Sequence, residues 1–312
     1  MRRLLAVLVL SSFSAQGQTI TETFGSGVNQ FSIDFVEIGN SGNLPDSTGF
    51  GNVSYNYKIA KYEISRDIFN KGFGEIIFNN PYTINRPADY IRWYDAAEFV
   101  NRLNLSAGFH AAYKRKERNI GTWDLITKWS PEDEGYDPDN PTRNKLAKYV
   151  LPSFDEWYKA AYGSPSGDWF KYTTGSNSPP QQISSGVYEN SSVFNLEING
   201  TGEDASFNPA NVNDAGSLSG WGTMGQGGNV AEFIEEDPDN AYAWLLGGAY
   251  FTDISYLDSS NQSSLSNSFT LPKDDADDYA GFRVAIVPEP SSLSLLLAGG
   301  AVLMAGRRRK RD

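Results

Sequence analysis

Residues Leu151 to Ala161 read Leu-Pro-Ser-Phe-Asp-Glu-Trp-Tyr-Lys-Ala-Ala. Ser153 followed three positions later by Glu156 is a capping box: each side chain satisfies a backbone N–H that a helix start leaves open. Trp157, Ala160 and Ala161 then fall on one face, and Gly163 supplies a stop. The segment predicts a helix opening at Ser153 with its apolar face buried. Working outward, Asp95-Ala96-Ala97-Glu98 has a similar opening, with Ala97, Val100 and Leu103 as the stripe. A weaker helix is expected after Ser65, through Ile68 and Phe69. Alternation of Tyr55, Tyr57 and Ile59 within Ser54 to Tyr62 predicts a short strand, as does Phe282 to Val287.

The remainder is rich in Gly, Asn, Ser and Asp. Gly163 to Pro180, Gly200 to Gly228 and Asp253 to Asp278 carry little periodicity. Trp169, Phe170, Tyr172, Trp221 and Trp244 are scattered through and beside them, which predicts packed irregular structure rather than open loops. No repeat of fixed period is evident.

Composition narrows the chemistry. The chain has 312 residues, no cysteine and one histidine, His110. That excludes disulfides, cysteine-ligated zinc, iron–sulfur clusters, thiolate nucleophiles and every multi-histidine metal site. Gly163-Ser-Pro-Ser-Gly167 and Gly216-Ser-Leu-Ser-Gly220 lack serine at the centre of a nucleophile elbow. His110 reads as a surface or hydrogen-bond-satisfied histidine rather than a catalytic base, since it has no thiol partner. Glu235-Glu236-Asp237, Asp137-Pro138-Asp139-Asn140 (within an apparent insertion, Trp129 to Lys145) and Lys273 to Asp278 read as solvated acidic segments.

Both ends look like address signals. Met1-Arg2-Arg3, the apolar run Leu4 to Leu10 and Ala15-Gln16-Gly17 form a secretory signal over residues 1–17. After the body, residues 18–287, comes Pro288-Glu289-Pro290. The uncharged run Ser291 to Gly306 follows, then a basic cluster that includes Arg307, Arg308 and Arg309. Sixteen apolar and small residues are a little short for a membrane span of ~20. This tail resembles the PEP-CTERM sorting signal of exported bacterial proteins. The resemblance implies a short transmembrane segment and recognition by an exosortase-type membrane protease. It also implies a precursor anchored in the inner membrane and a final place at the cell surface or outside. Without its ends the body carries 19 basic against 36 acidic residues, which repels nucleic acid.

Six segments of the body resemble, in order, the motifs of the formylglycine-generating-enzyme-like, sulfatase-modifying-factor family. They are Tyr57 to Ser65, Ile91 to Phe99, Leu151 to Ala161, Trp221 to Phe233, Leu245 to Tyr250 and Gly281 to Val284. The resemblance implies a complex C-type-lectin-like fold: α+β, loop-rich, with few helices and short antiparallel strands. It also implies structural calcium. Gly228, Val230 and Glu232 would hold one ion, and Asn211 and Val212, with Asp214 as a further carboxylate, a second. Copper and iron are not expected: the family's oxidases use a cysteine pair after the double glycine, and the iron-dependent sulfoxide synthases use three histidines. Ala231 replaces a usual tryptophan, and Leu246 a usual arginine.

The expectation is therefore an exported surface or matrix-associated protein with a non-catalytic domain and an extracellular polysaccharide or protein as ligand. The alternatives are a hydrolase using acidic residues on the same scaffold, or a carbohydrate-binding lectin-like module.

Overall fold

From Phe31 to Phe35 buried and outward side chains alternate, and beyond them Val36 and Ile38 are buried as well, so the segment forms a strand whose far end is covered on both faces. The computed structural model describes residues 17–116, 126–196, 208–262 and 269–288. In chain order its strands are β1 (Thr19–Phe24), β2 (Phe31–Ile38), β3 (Tyr57–Ala60), β4 (Lys114–Arg115), β5 (Ile126–Thr127), β6 (Tyr149–Val150), β7 (Gln181–Gln182), β8 (Ser191–Ser192), β9 (Ala231–Phe233), β10 (Tyr242–Leu246), β11 (Phe269–Pro272), β12 (Ala280–Phe282) and β13 (Ala285–Ile286). The α-helices are α1 (Arg66–Phe73), α2 (Trp93–Ser106) and α3 (Phe154–Tyr162).

Two sheets organise the molecule. One is antiparallel throughout, in the order β1-β2-β3-β13-β6. The other runs β11-β10-β9-β12, with β9 and β12 parallel. Long irregular segments join these short elements, as the α+β, loop-rich expectation requires. The parallel pairs β9–β12 and β7–β8 are exceptions to its antiparallel strands.

The core joins both sheets to α1 and α2. Phe69 stacks on Phe99 at 5.7 Å, and Phe282 meets Phe99 edge-on at 5.4 Å. A second cluster packs Trp157, Tyr158, Ala161 and Tyr162 of α3 against Ile234 and Leu246.

The helix starts follow their caps. Ser153 accepts from the Glu156 N–H, and Glu156 accepts from the Ser153 N–H. Ser65 caps α1 through the Ile68 N–H. Two details differ from the sequence reading. α2 begins two residues before Asp95, which is instead the third helical residue and accepts from the Arg92 N–H at 2.9 Å. Gly163 does end α3, but in an extended conformation (φ −87°) rather than a left-handed one. A Cβ there would lie 2.8 Å from the Lys159 carbonyl oxygen and 3.0 Å from Trp221 Nε1, so close approach is what demands glycine.

Phe282 to Val287 is not one strand. It splits between the sheets, β12 in one and β13 in the other, with Arg283 and Val284 between them. The break turns the Arg283 side chain into the interior, where it is fully buried.

Among the described residues, no helix is long and apolar enough to cross a membrane. Ser291 to Gly306, residues 1–16, Glu289, Pro290, Arg307, Arg308 and Arg309 lie outside them.

Candidate functional site

Four of the motif segments meet at one buried ion pair. Arg283 follows β12 and Glu232 lies in β9, and both side chains are wholly enclosed. Arg283 Nη2 donates to Glu232 Oε1 and Nε to Oε2, each at 2.6 Å. Trp157 Nε1, from α3, donates to Oε2 at 2.7 Å. The remaining Arg283 donors go to the carbonyls of Ala60 (2.9 Å) and Met224 (2.8 Å). One guanidinium thus ties β3, the Met224 loop and β9 together, and every hydrogen bond is charge-assisted.

Beside this pair lies Glu63, also buried. Desolvation, then the charge of Glu232, hold its carboxyl well above the usual carboxylate range. Asn229 stands at φ 58°, and its Nδ2 donates to both Glu63 oxygens (3.1 and 2.9 Å). Gly228 precedes it at φ 82°; a Cβ there would lie 2.1 Å from the Val193 carbonyl oxygen. The left-handed Gly228-Asn229 backbone thus presents the Asn229 amide to Glu63.

This geometry bears on the calcium expectation. Both Glu232 oxygens are engaged, and a guanidinium stands where a cation would have to sit. The Glu232 donor set does not fit calcium. The Asn211 carbonyl accepts from the Asp214 N–H (2.9 Å), and the Val212 N–H donates to the Asn85 carbonyl (3.0 Å), which makes a half-buried turn. Among the described residues, no three Asp, Glu, His or Cys side chains converge to hold a metal. Chelation of divalent ions is therefore expected to leave the thermal unfolding midpoint of the body unmoved. A drop of several degrees on adding EGTA, reversed by calcium, would restore the ion.

In the segment after the double glycine, Thr252 and Leu257 are buried while Asp253 between them is exposed. Gly247 and Gly248 take φ 88° and 71°. Thr252 is locked to Ala249, its Oγ1 accepting from the Ala249 N–H (3.0 Å) and donating to the Ala249 carbonyl (2.9 Å). Leu257 is fully buried with Tyr172 and Phe194. A hydroxyl spent on backbone and an aliphatic side chain supply no redox-metal ligand.

Several polar groups read as solvated are interior. Arg143, from the expected insertion, joins Glu235 (Nε to Oε2, 2.7 Å) to Glu156 (3.1 Å twice). Asn140 donates to Glu235 at 2.9 Å. Both carboxylates are taken by one guanidinium, so they do not face each other across an open cavity as a glycosidase pair must. Lys273 is buried over the Trp93 ring at 4.7 Å. No spacing rule signals such long-range pairs. His110 is exposed, as expected.

Glu236 lies nearby, with the Trp244 N–H donating to it at 3.3 Å. Desolvation pushes its carboxyl up to about 7. The folded state then binds more protons than the unfolded state between its ordinary value and about 7. Stability from this group is full only below its ordinary value of 4.5 and is lost progressively as pH rises from there through about 7. Glu236→Gln is expected to stabilise the body by about 1–2 kcal/mol at pH 8, allowing for partial solvent screening, and by almost nothing at pH 4. Urea midpoints at the two pH values check this; an equal shift at both would contradict it.

One open cleft, of about 240 Å³, adjoins α3. Its walls include Asn40, Leu44, Pro45, Asp168, Trp169 and Trp221, and Lys159 reaches it from the helix. Asn40 has φ 55°, and its carbonyl accepts from Lys159 Nζ at 3.0 Å. Lys159 is 2% exposed and makes no ion pair among the described residues; desolvation lowers its ammonium to about 8. The cleft was not legible beforehand, because its walls come from segments more than a hundred residues apart.

Fold and motif hub together define a domain of the formylglycine-generating-enzyme type. The chain belongs to the sulfatase-modifying factor enzyme 1-like domain family, whose model matches residues 27–287. A PEP-CTERM protein-sorting motif matches residues 287–310 and marks an exported protein. The chain is 23% identical over 275 residues to a protein named chaperone protein LppX from Paenibacillus barcinonensis, covering 81% of this chain and 90% of that one. Variable protein 1 of Treponema denticola has a similar fold (TM-score 0.56, 15% identity, 86% of this chain and 99% of that one). CarF does too (TM-score 0.56, 19% identity, 82% and 98%).

Proposed function

We propose that this is an exported, non-oxidising member of the family, a binding or structural protein of the cell surface or matrix released from its tail by an exosortase. The observation that carries the reading is the donor set after Gly247-Gly248: Thr252 is bonded to its own turn, Leu257 is buried, and the chain contains no cysteine. Soft donors are what a copper oxidation centre needs. Glu232, Glu156 and Glu235 are each paired with arginine, which argues against their use as a hydrolytic pair. The test is incubation of the purified body with a cysteine-containing sulfatase-type peptide, dioxygen and copper. Mass spectrometry is expected to find the cysteine intact, and conversion to formylglycine would overturn the reading.

A further inference from the structure

We propose that the cleft between the Asn40–Pro45 loop and the end of α3 binds a monocarboxylate carried on a single six-membered ring, with the Lys159 ammonium holding the carboxylate. This names a ligand class for the binding role above and rests on that reading.

Lys159 is the starting point. Its ammonium has three N–H groups, and the Asn40 carbonyl takes one. A buried cation is unfavourable unless paired. Arg143 and Arg283, comparably enclosed, each meet a carboxylate, whereas Lys159 meets none among the described residues. A ligand carboxylate reaching it would form a charge-assisted pair in a site already shielded from water. Burial favours the neutral amine here, and a bound anion would reverse that preference.

The walls select the rest of the ligand. Trp169, Trp221, Leu44 and Pro45 offer apolar surface for the body of a ring. Asn43 adds little polarity, since its amide already donates to the carbonyls of Leu44 (2.9 Å) and Gly51 (2.8 Å). Drug-sized ligands occupy roughly 300–1,000 Å³, so this smaller cleft suits one ring and not an oligomer. The exposed carboxylate of Asp168 stands at the rim and disfavours a second negative charge, which argues against phosphate. Trp221 Nε1, buried and without a partner among the described residues, lies beside the Gly163 wall. A saturable ligand therefore has a fluorescent reporter in place.

The experiment titrates the purified body with glucuronate and with cyclohexanecarboxylate, using glucose and cyclohexanol as neutral counterparts, and follows tryptophan emission. At least one acid is expected to saturate, at least about tenfold more tightly than its neutral counterpart; which acid wins separates a sugar ligand from an apolar one. Lys159→Met keeps the stem and is expected to weaken the acid about tenfold or more without changing the neutral compound. Asp168→Asn, at an exposed position that leaves folding intact, is expected to tighten the acid by about 1.5- to 5-fold. Saturation by neither acid, equal binding of acid and neutral compound, or a folded Lys159→Met that binds as wild type would each overturn the proposal. Should Lys159→Met fail to fold, an Asp168→Asn variant with unchanged acid affinity overturns it instead. None of these failures restores peptide oxidation, so the non-oxidising reading is judged separately.

Discussion

Replacing Arg283 with methionine is expected to destabilise the body by about 3–5 kcal/mol, because it strands a buried charge. Glu232 would lose both guanidinium bonds while staying enclosed, with Glu63 beside it. The carbonyls of Ala60 and Met224 would lose their donor as well. In a domain of this size the unfolding midpoint should fall by about 10 °C. Lysine at the same place is not a rescue, since one ammonium cannot reproduce the planar fork that meets a carboxylate on two atoms. Adding Glu232→Gln to Arg283→Met should return about 1–3 kcal/mol by removing the unpaired charge. Urea unfolding of the single and double variants measures this; an Arg283→Met protein within about 1 kcal/mol of wild type would show that the pair does not hold the fold.

The second large effect concerns the tail. β13 lies inside the first sheet, between β3 and β6, and the ladder ends where the Val287 N–H donates to the Lys148 carbonyl at 3.1 Å. Pro288, the next residue, is exposed and has no N–H to continue it. Removing everything from Pro288 onward therefore costs the described fold no sheet hydrogen bond. In a host with an exosortase, replacing Pro288, Glu289 and Pro290 together by alanine is expected to change processing from near complete to undetectable. The precursor would then stay with the membrane fraction. The processed body should unfold at the same temperature as the uncut one. Loss of a C-terminal tag on immunoblots reports the cut, and normal cleavage of the alanine variant would contradict the assignment of the motif.

Local chemistry was legible in the sequence, and distant partnership was not. The Ser153–Glu156 box forms as its spacing demands because all its atoms come from four consecutive residues. The alternation in Phe31 to Phe35 was equally local, yet the strand reading did not extend to it. Phe282 to Val287 reads as one apolar strand; only the three-dimensional position of Glu232 explains why Arg283 interrupts it. The same holds for Glu235, which looks like one of a run of surface acids until Arg143 is brought to it from 92 positions away. Glu232 reads as a calcium ligand on the family resemblance, whereas in the structure its counter-ion is Arg283, an arginine in the same motif set. Lys159 sits inside the capping-box helix, where helical spacing marks the apolar face and gives no hint that an amine joins it.

The proposed non-oxidising role rests on the absence of cysteine from the chain and on Thr252 and Leu257, which offer no soft donor after the double glycine. Dioxygen consumption tests this most directly. The purified body, supplied with copper(I), a thiol reductant and a cysteine-containing peptide, is expected to consume oxygen no faster than the same mixture without protein. Sustained, protein-dependent uptake that tracks peptide oxidation would contradict the account.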